Sequence, residues 1–195
     1  MIPLRFEVSE LACKLREGSL AIFPTDTLPA LGACPKYAKK IWEIKKRPIT
    51  KPLILMGGCL DDLFEFVQPR AVEDGIEMAK KYWPGPLTII LPTIGSFSNY
   101  MNQDSSMLGL RVPDSQLTRE LLLKTGPLAT SSANISGKMP VKDAIEASIQ
   151  FPNVPMLTPI PWPKPSGIAS TIISWNNGNW SLLRTGSVVL NDIYE

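Results

Sequence analysis

The sequence predicts an α/β domain, with helices packed on a twisted sheet of mixed parallel and antiparallel strands. Three observations carry that expectation. Short apolar runs rich in β-branched residues, such as Leu87-Thr88-Ile89-Ile90-Leu91, alternate with stretches whose apolar residues recur at helical spacing. Near the C-terminus two such runs flank Asn176-Asn177-Gly178, the composition of a hairpin turn. The 195 residues suffice for one well-buried core and are few for two ordinary domains, and no internal repeat or low-complexity tract divides them.

Taken in order, residues 19–23 form a strand that empties into Pro24-Thr25-Asp26-Thr27-Leu28-Pro29, a polar turn closed by proline at both ends. Pro35 opens a helix with Tyr37, Ile41, Trp42 and Ile44 on one face. The chain returns as a strand at 53–56. Residues 60–82 are helical in two pieces divided at Pro69, with Glu77, Lys80 and Lys81 on a solvated face. Trp83-Pro84-Gly85-Pro86 is a rigid turn that launches the strand at 87–91, and 92–104 is expected to be a mobile polar loop. A strand at 107–112 precedes a helix at 116–124 capped by Asp114 or Ser115. A short strand at 127–130, a helix at 141–149 and a hairpin of 168–174 with 180–184 complete the domain.

Composition excludes several classes of function. Lysine and arginine total 20 against 18 acidic residues, so a formal charge of +2 gives no global case for nucleic-acid binding, and any anion site is local. The absence of histidine removes serine-histidine and cysteine-histidine catalysis and every histidine-ligated metal. No apolar run approaches the ~20 residues that span a bilayer, and the opening residues lack a signal peptide's apolar stretch, so the expected compartment is the cytoplasm without membrane association. Cys13, Cys34 and Cys59 lack the spacing of a zinc or redox pair and are expected to be reduced and buried. Neither a Walker P-loop nor the dinucleotide glycine pattern occurs.

Polar groups cluster just beyond the buried strands. Lys45-Lys46-Arg47-Pro48-Ile49-Thr50-Lys51 gathers four cations in seven residues. Positive side chains at a helix end are what the helix dipole favours, so the cluster has a purely structural reading. Lys51 is harder to absorb in that way, because it follows Pro48 and opens a strand, where its neighbours' repulsion calls for an anion. Thr25, Asp26 and Thr27 are either a self-bonded turn or part of a site. Ser131-Ser132-Ala133-Asn134-Ile135-Ser136-Gly137 is either a turn with a helix entry or a cradle for phosphate or carboxylate. Arg111, within an apolar strand, either pairs internally with Asp26 or Asp114 or receives a carboxylate or phosphate on its planar fork.

In their joint order these segments resemble the YrdC/Sua5/YciO family, the threonylcarbamoyl-AMP synthases. The resemblance spans roughly residues 19–186. Its blocks are Pro24-Thr25-Asp26-Thr27; Lys45-Lys46-Arg47-Pro48 with Lys51-Pro52-Leu53; Trp83-Pro84-Gly85-Pro86-Leu87-Thr88; Leu110-Arg111-Val112-Pro113; and Ser132-Ala133-Asn134-Ile135-Ser136-Gly137. Ser170-Thr171 and Leu183-Arg184-Thr185-Gly186 extend it. The resemblance implies a single YrdC/RibB-like domain over 1–195, without the further C-terminal domain of the longer Sua5 members. It implies a nucleotidyltransferase that joins L-threonine, bicarbonate and ATP into threonylcarbamoyl-AMP and pyrophosphate, on the route to threonylcarbamoyl-adenosine in tRNA. Lys45, Arg47 and Lys51 then bind the triphosphate and offset the charge of the leaving pyrophosphate, while Ser132, Asn134 and Arg184 contact the nucleotide. Thr27, Arg111 and Ser170 take the threonine side. Magnesium arrives with ATP and needs no metal site of the protein's own.

Two departures fall on the threonine side. Leu28-Pro29-Ala30-Leu31 stands where the family usually has Val-Tyr-Gly-Leu, and Ala169-Ser170-Thr171-Ile172-Ile173-Ser174 lacks the two acids common there. They leave open a second reading, a non-catalytic relative that binds tRNA, double-stranded RNA or nucleotide in the same cleft. Proteins of the same tRNA pathway are further expected partners. A third reading, a carbamoyl-phosphate enzyme like the fused relatives, lacks their accessory zinc-finger and acylphosphatase segments.

Overall fold

The computed structural model describes residues 4–95, 97–102 and 105–190. Among them, ten strands form one sheet in the order β1-β8-β2-β3-β7-β4-β6-β5-β9-β10. In chain order the elements are β1 (Arg5–Phe6), α1 (Val8–Arg16), β2 (Ala21–Phe23), β3 (Ala30–Ala33), α2 (Lys39–Lys45), β4 (Ile54–Met56), α3 (Asp61–Phe64), α4 (Pro69–Tyr82), β5 (Leu87–Pro92), β6 (Met107–Arg111), α5 (Gln116–Thr125), β7 (Leu128–Ser132), α6 (Ala144–Gln150), β8 (Met156–Leu157), β9 (Thr171–Asn176) and β10 (Asn179–Arg184). The pairing is mixed, as expected: β4 with β6 and β5 with β9 are parallel, whereas β2 with β3, β3 with β7, β4 with β7 and β5 with β6 are antiparallel.

Helices cover the sheet because each presents an apolar stripe to it. Leu55, Ile89, Leu110 and Ala129 lie in the larger core with Ile41 and Trp42 of α2, Ala71 and Ala79 of α4, and Ala144 and Ala147 of α6. Phe23, Met56 and Leu128 join a smaller core with Leu11 and Leu15 of α1 and Leu121 and Leu122 of α5. Ser115, rather than Asp114, caps α5 through the Thr118 amide, and Asp143 caps α6 by accepting from the Ile145 and Glu146 amides at 2.8 and 2.9 Å.

Several expectations change. Pro35 begins a 3-10 turn, Pro35–Tyr37, and the α-helix starts only at Lys39. The span expected to be loop contains a second 3-10 turn, Phe97–Tyr100; its residues 96, 103 and 104 lie outside the described residues. The cysteines are free but not buried, with Cys13 exposed and Cys34 and Cys59 half-buried. No helix among the described residues is long and apolar enough to cross a membrane.

Candidate active site

A cleft of about 280 Å3 lies over one face of the sheet. Its floor is made of alternate residues, Ile54 and Met56 of β4, Gly109 and Arg111 of β6, Thr130 and Ser132 of β7, and Thr88 and Ile90 of β5. The polar groups therefore meet above the sheet, not in a crevice beyond its strand ends. Gly109 keeps this floor low, since a Cβ there would come within 2.9 Å of Ile54 Cγ2.

Register separates the two ends of the cleft. Arg111 pairs with Met56 at the C-terminal end of β4, while Ile54 at the other end pairs with Thr130, two residues before Ser132. At the first end Arg111 is buried and donates to the Gly85 carbonyl at 3.0 Å, Thr27 Oγ1 at 2.9 Å and Asp26 Oδ1 at 2.5 Å. Burial depresses its pKa, opposed by the charge and hydrogen bond of Asp26. The internal pairing with Asp26 is present, and Arg111 also lines the cleft. Its planar fork has five N–H donors, so these three contacts leave two.

The turn that presents Thr27 is fixed from several sides. Thr25 Oγ1 donates to the Leu28 carbonyl at 2.6 Å and accepts from the Thr27 and Leu28 amides, each at 3.2 Å. The Ser166 and Gly167 amides bond the Asp26 and Thr27 carbonyls, each at 2.9 Å. Pro29 removes no ladder bond, because β3 begins one residue later, and its carbonyl accepts from the Ala133 amide at 2.8 Å.

Beside Arg111, Ser170 Oγ lies 2.8 Å from Thr88 Oγ1 and accepts from Arg184 Nη2 at 3.1 Å. Arg184 also donates to the Ser170 carbonyl through Nε and Nη2 and lines the cleft at its Arg111 end, where its charge further lowers the Arg111 pKa. Sequence reasoning misses Thr88 and Thr130. Their signal is a hydroxyl inside an apolar strand, two positions from another residue of the same face.

At the other end the basic segment divides. Arg47 lines the cleft, half-buried, with Nη2 on the Pro52 carbonyl at 3.1 Å, and burial lowers its pKa. Lys46 is exposed in the left-handed conformation that ends α2. Lys51 is exposed just outside the lining; its carbonyl accepts from Trp42 Nε1 at 2.9 Å. Lys45 lies beneath the cleft and is 1% exposed. Its ammonium donates to the Ser132 carbonyl, the Asn134 carbonyl at 2.6 Å and Asn134 Oδ1 at 3.4 Å. Burial, reinforced by Arg47's charge, lowers its pKa to about 7. Asn134 also stays out of the lining: Oδ1 accepts from Ser132 Oγ at 2.6 Å, and Nδ2 donates to the Ile135 and Lys138 carbonyls. The cleft therefore gathers Arg47, Ser132, Thr27, Arg111, Ser170 and Arg184, but not Lys45, Lys51 or Asn134.

Comparison with known proteins gives this arrangement a family. The Sua5, YciO and YrdC domain family, described as "Telomere recombination", matches residues 13–186. The chain is 32% identical over 183 residues to the threonylcarbamoyl-AMP synthase of Pyrococcus abyssi, covering 92% of this chain and 54% of that protein. It is 32% identical over 192 residues to the threonylcarbamoyl-AMP synthase of Bacillus subtilis, covering 96% and 55%. The chain thus spans about half the length of these curated relatives. It is also similar to the crystal structure of P. abyssi Sua5 complexed with L-threonine, with a TM-score of 0.84 and 29% identity, covering 95% of this chain and 57% of that one. A match over nearly the whole chain, containing every block from Pro24 to Gly186, shows that this chain belongs to the Sua5/YciO/YrdC family.

Proposed function

We propose that this chain is a nucleotidyltransferase that forms threonylcarbamoyl-AMP and pyrophosphate from L-threonine, bicarbonate and ATP. The observation that carries the reading is a single cleft with a buried guanidinium and hydroxyls at one end and Arg47 with Ser132 at the other. That polarity suits an amino-acid carboxylate facing a triphosphate. The two remaining donors of Arg111 meet the threonine carboxylate, with Thr27 and Ser170 alongside. Arg47 and Ser132 meet the nucleotide at the far end, Arg184 reaches toward it from the Arg111 end beside Ser170, and the exposed Lys51 reaches in from the rim.

The chemistry matches these residue types. The threonine amine and bicarbonate condense to a carbamate with loss of water. A carbamate oxygen then attacks the α-phosphorus, the bond from that phosphorus to its bridging oxygen breaks, and pyrophosphate departs. No side chain takes a covalent bond, so rate comes from alignment and from cations that offset the charge on the leaving group. Magnesium enters with ATP on phosphate oxygens and water.

Pyrophosphate release measured with each substrate omitted in turn tests the reading. Release is expected only with threonine and bicarbonate both present; release indifferent to the omission of threonine would sink it. The exposed Lys46, Lys51 and Lys138 support a second role in holding tRNA or another RNA. Salt-sensitive RNA binding without adenylate formation would make that role the main one.

A further inference from the structure

Lys45 is a buried cation that the proposed chemistry does not itself use. Among the described residues it forms no ion pair; its three neighbours are two carbonyls and one amide oxygen. An ammonium has three N–H groups, so each has an acceptor within the protein and none remains for a phosphate. All three acceptors belong to Ser132 and Asn134, the residues that carry the chain out of β7. The link is closed a second time through the backbone, because the Ser136 amide donates to the Lys45 carbonyl at 2.8 Å. Asn134 Oδ1 in turn accepts from Ser132 Oγ, and Ser132 is the member of the group that faces the cleft.

From this geometry we infer that Lys45 is a positioning residue. It acts on the nucleotide through Asn134 and Ser132, fixing the β7 exit, and makes no phosphate contact of its own. The inference rests on the nucleotide reading of the cleft. It assigns Asn134 the same indirect part and leaves Arg47, with Lys51 at the rim, to make the direct contacts from this segment. The charge is suited to that role, since two carbonyls turned toward one point repel each other unless a shared donor lies between them. The other charged group acting on Lys45 is Arg47, while the β7 exit contributes only the neutral Ser132, Asn134 and Ser136 around it.

The test is a double-mutant cycle on ATP affinity, measured by calorimetry on variants whose folding is checked by circular dichroism and thermal melting. Lys45→Met is expected to weaken ATP binding about 10-fold, of the size expected when residues in one network are uncoupled. In the Ser132→Ala background the same substitution should add less than about 2-fold, because its effect passes through that serine. In the Arg47→Ala background it should multiply in full. Full multiplication with Ser132→Ala, or no effect of Lys45→Met at all, overturns the proposal. If Lys45→Met does not fold, Asn134→Ala with Ser132→Ala supplies an equivalent cycle that leaves the lysine intact, with the same two outcomes. Wild-type protein that fails to bind ATP would remove the nucleotide reading and this inference with it; binding with additive effects would remove only the inference.

Discussion

Arg111 is tolerated in an apolar strand because three acceptors from two separate turns converge on it: Asp26 and Thr27 of one, and Gly85 of the other. Asp26 is the costliest of them to lose. Its Oδ1 takes the guanidinium and the Asp114 amide, while Oδ2 is buried without a protein partner. Asp26→Asn would leave a buried cation uncompensated and turn an amide group toward a place with nothing to accept it. We expect a loss of about 3–5 kcal/mol, read from the urea midpoint, with threonine affinity falling as well. A variant with an unchanged midpoint would show that the guanidinium has another counter-charge. The sequence already carries the pairing as one of two readings of Arg111, and residue type alone could not show that a paired arginine also lines the cleft. Lys45 is the opposite case, since its burial could have been read. It stands four residues after Ile41 and three after Trp42, which puts it on the same helical face as those two buried side chains. The dipole argument for a helix-end cation hides that signal, because it asks where along the helix a charge stands and not on which face.

At the scale of elements, legibility follows side-chain volume and length. The strands β4, β5 and β6 are runs of large apolar residues and stand where their sequences put them. β3 is Ala-Leu-Gly-Ala, too small and unbranched to register as a strand, yet it lies at the centre of the sheet. Its small residues have a purpose there: a Cβ on Gly32 would come within 2.9 Å of the Phe23 ring. β1 and β8 have two residues each, and β8 falls inside a proline-rich stretch, 152–165, that carries no strand pattern. The closing hairpin is legible because its turn chemistry is specific. Asn177 and Gly178 have φ of 48° and 88°, the left-handed pair that a two-residue turn requires. The cleft depends on this turn at a distance, since it joins β9, which follows Ser170, to β10, which ends in Arg184. Gly178→Ala is expected to cost about 1–2 kcal/mol through its left-handed backbone. Hydrogen exchange should show the loss concentrated in β9 and β10, whereas even loss of protection across the whole sheet would refute a local effect.

For the whole molecule, stability varies with pH only through groups whose pKa differs between the folded and unfolded chain, so one strongly shifted buried group can dominate a window. Lys45 has a pKa of about 7 in the fold against an ordinary 10.5. Between those values the unfolded chain binds a proton that the folded chain does not, so stability rises with pH across the interval and is flat, from this group, below it. Two thiols limit the upper end: burial raises Cys34 and Cys59 above their usual 9.0, and stability gained from Lys45 is opposed once unfolded thiols ionise. From pH 7 to 9 the gain is on the order of 2 kcal/mol. Denaturant midpoints should therefore increase over that range in the wild type and stay level in Lys45→Met, which cannot titrate. A rise that persists in Lys45→Met would assign it to another group. The proton that costs stability is also the one that completes the ammonium's three bonds to Ser132 and Asn134. Raising the pH through 7 should therefore stabilise the fold as a whole while loosening the β7 exit, a pairing of opposite signs that uniform softening or stiffening of the protein cannot produce. Hydrogen exchange at the Ser136 amide, followed beside the denaturant midpoint after correction for intrinsic exchange, measures both signs on one sample.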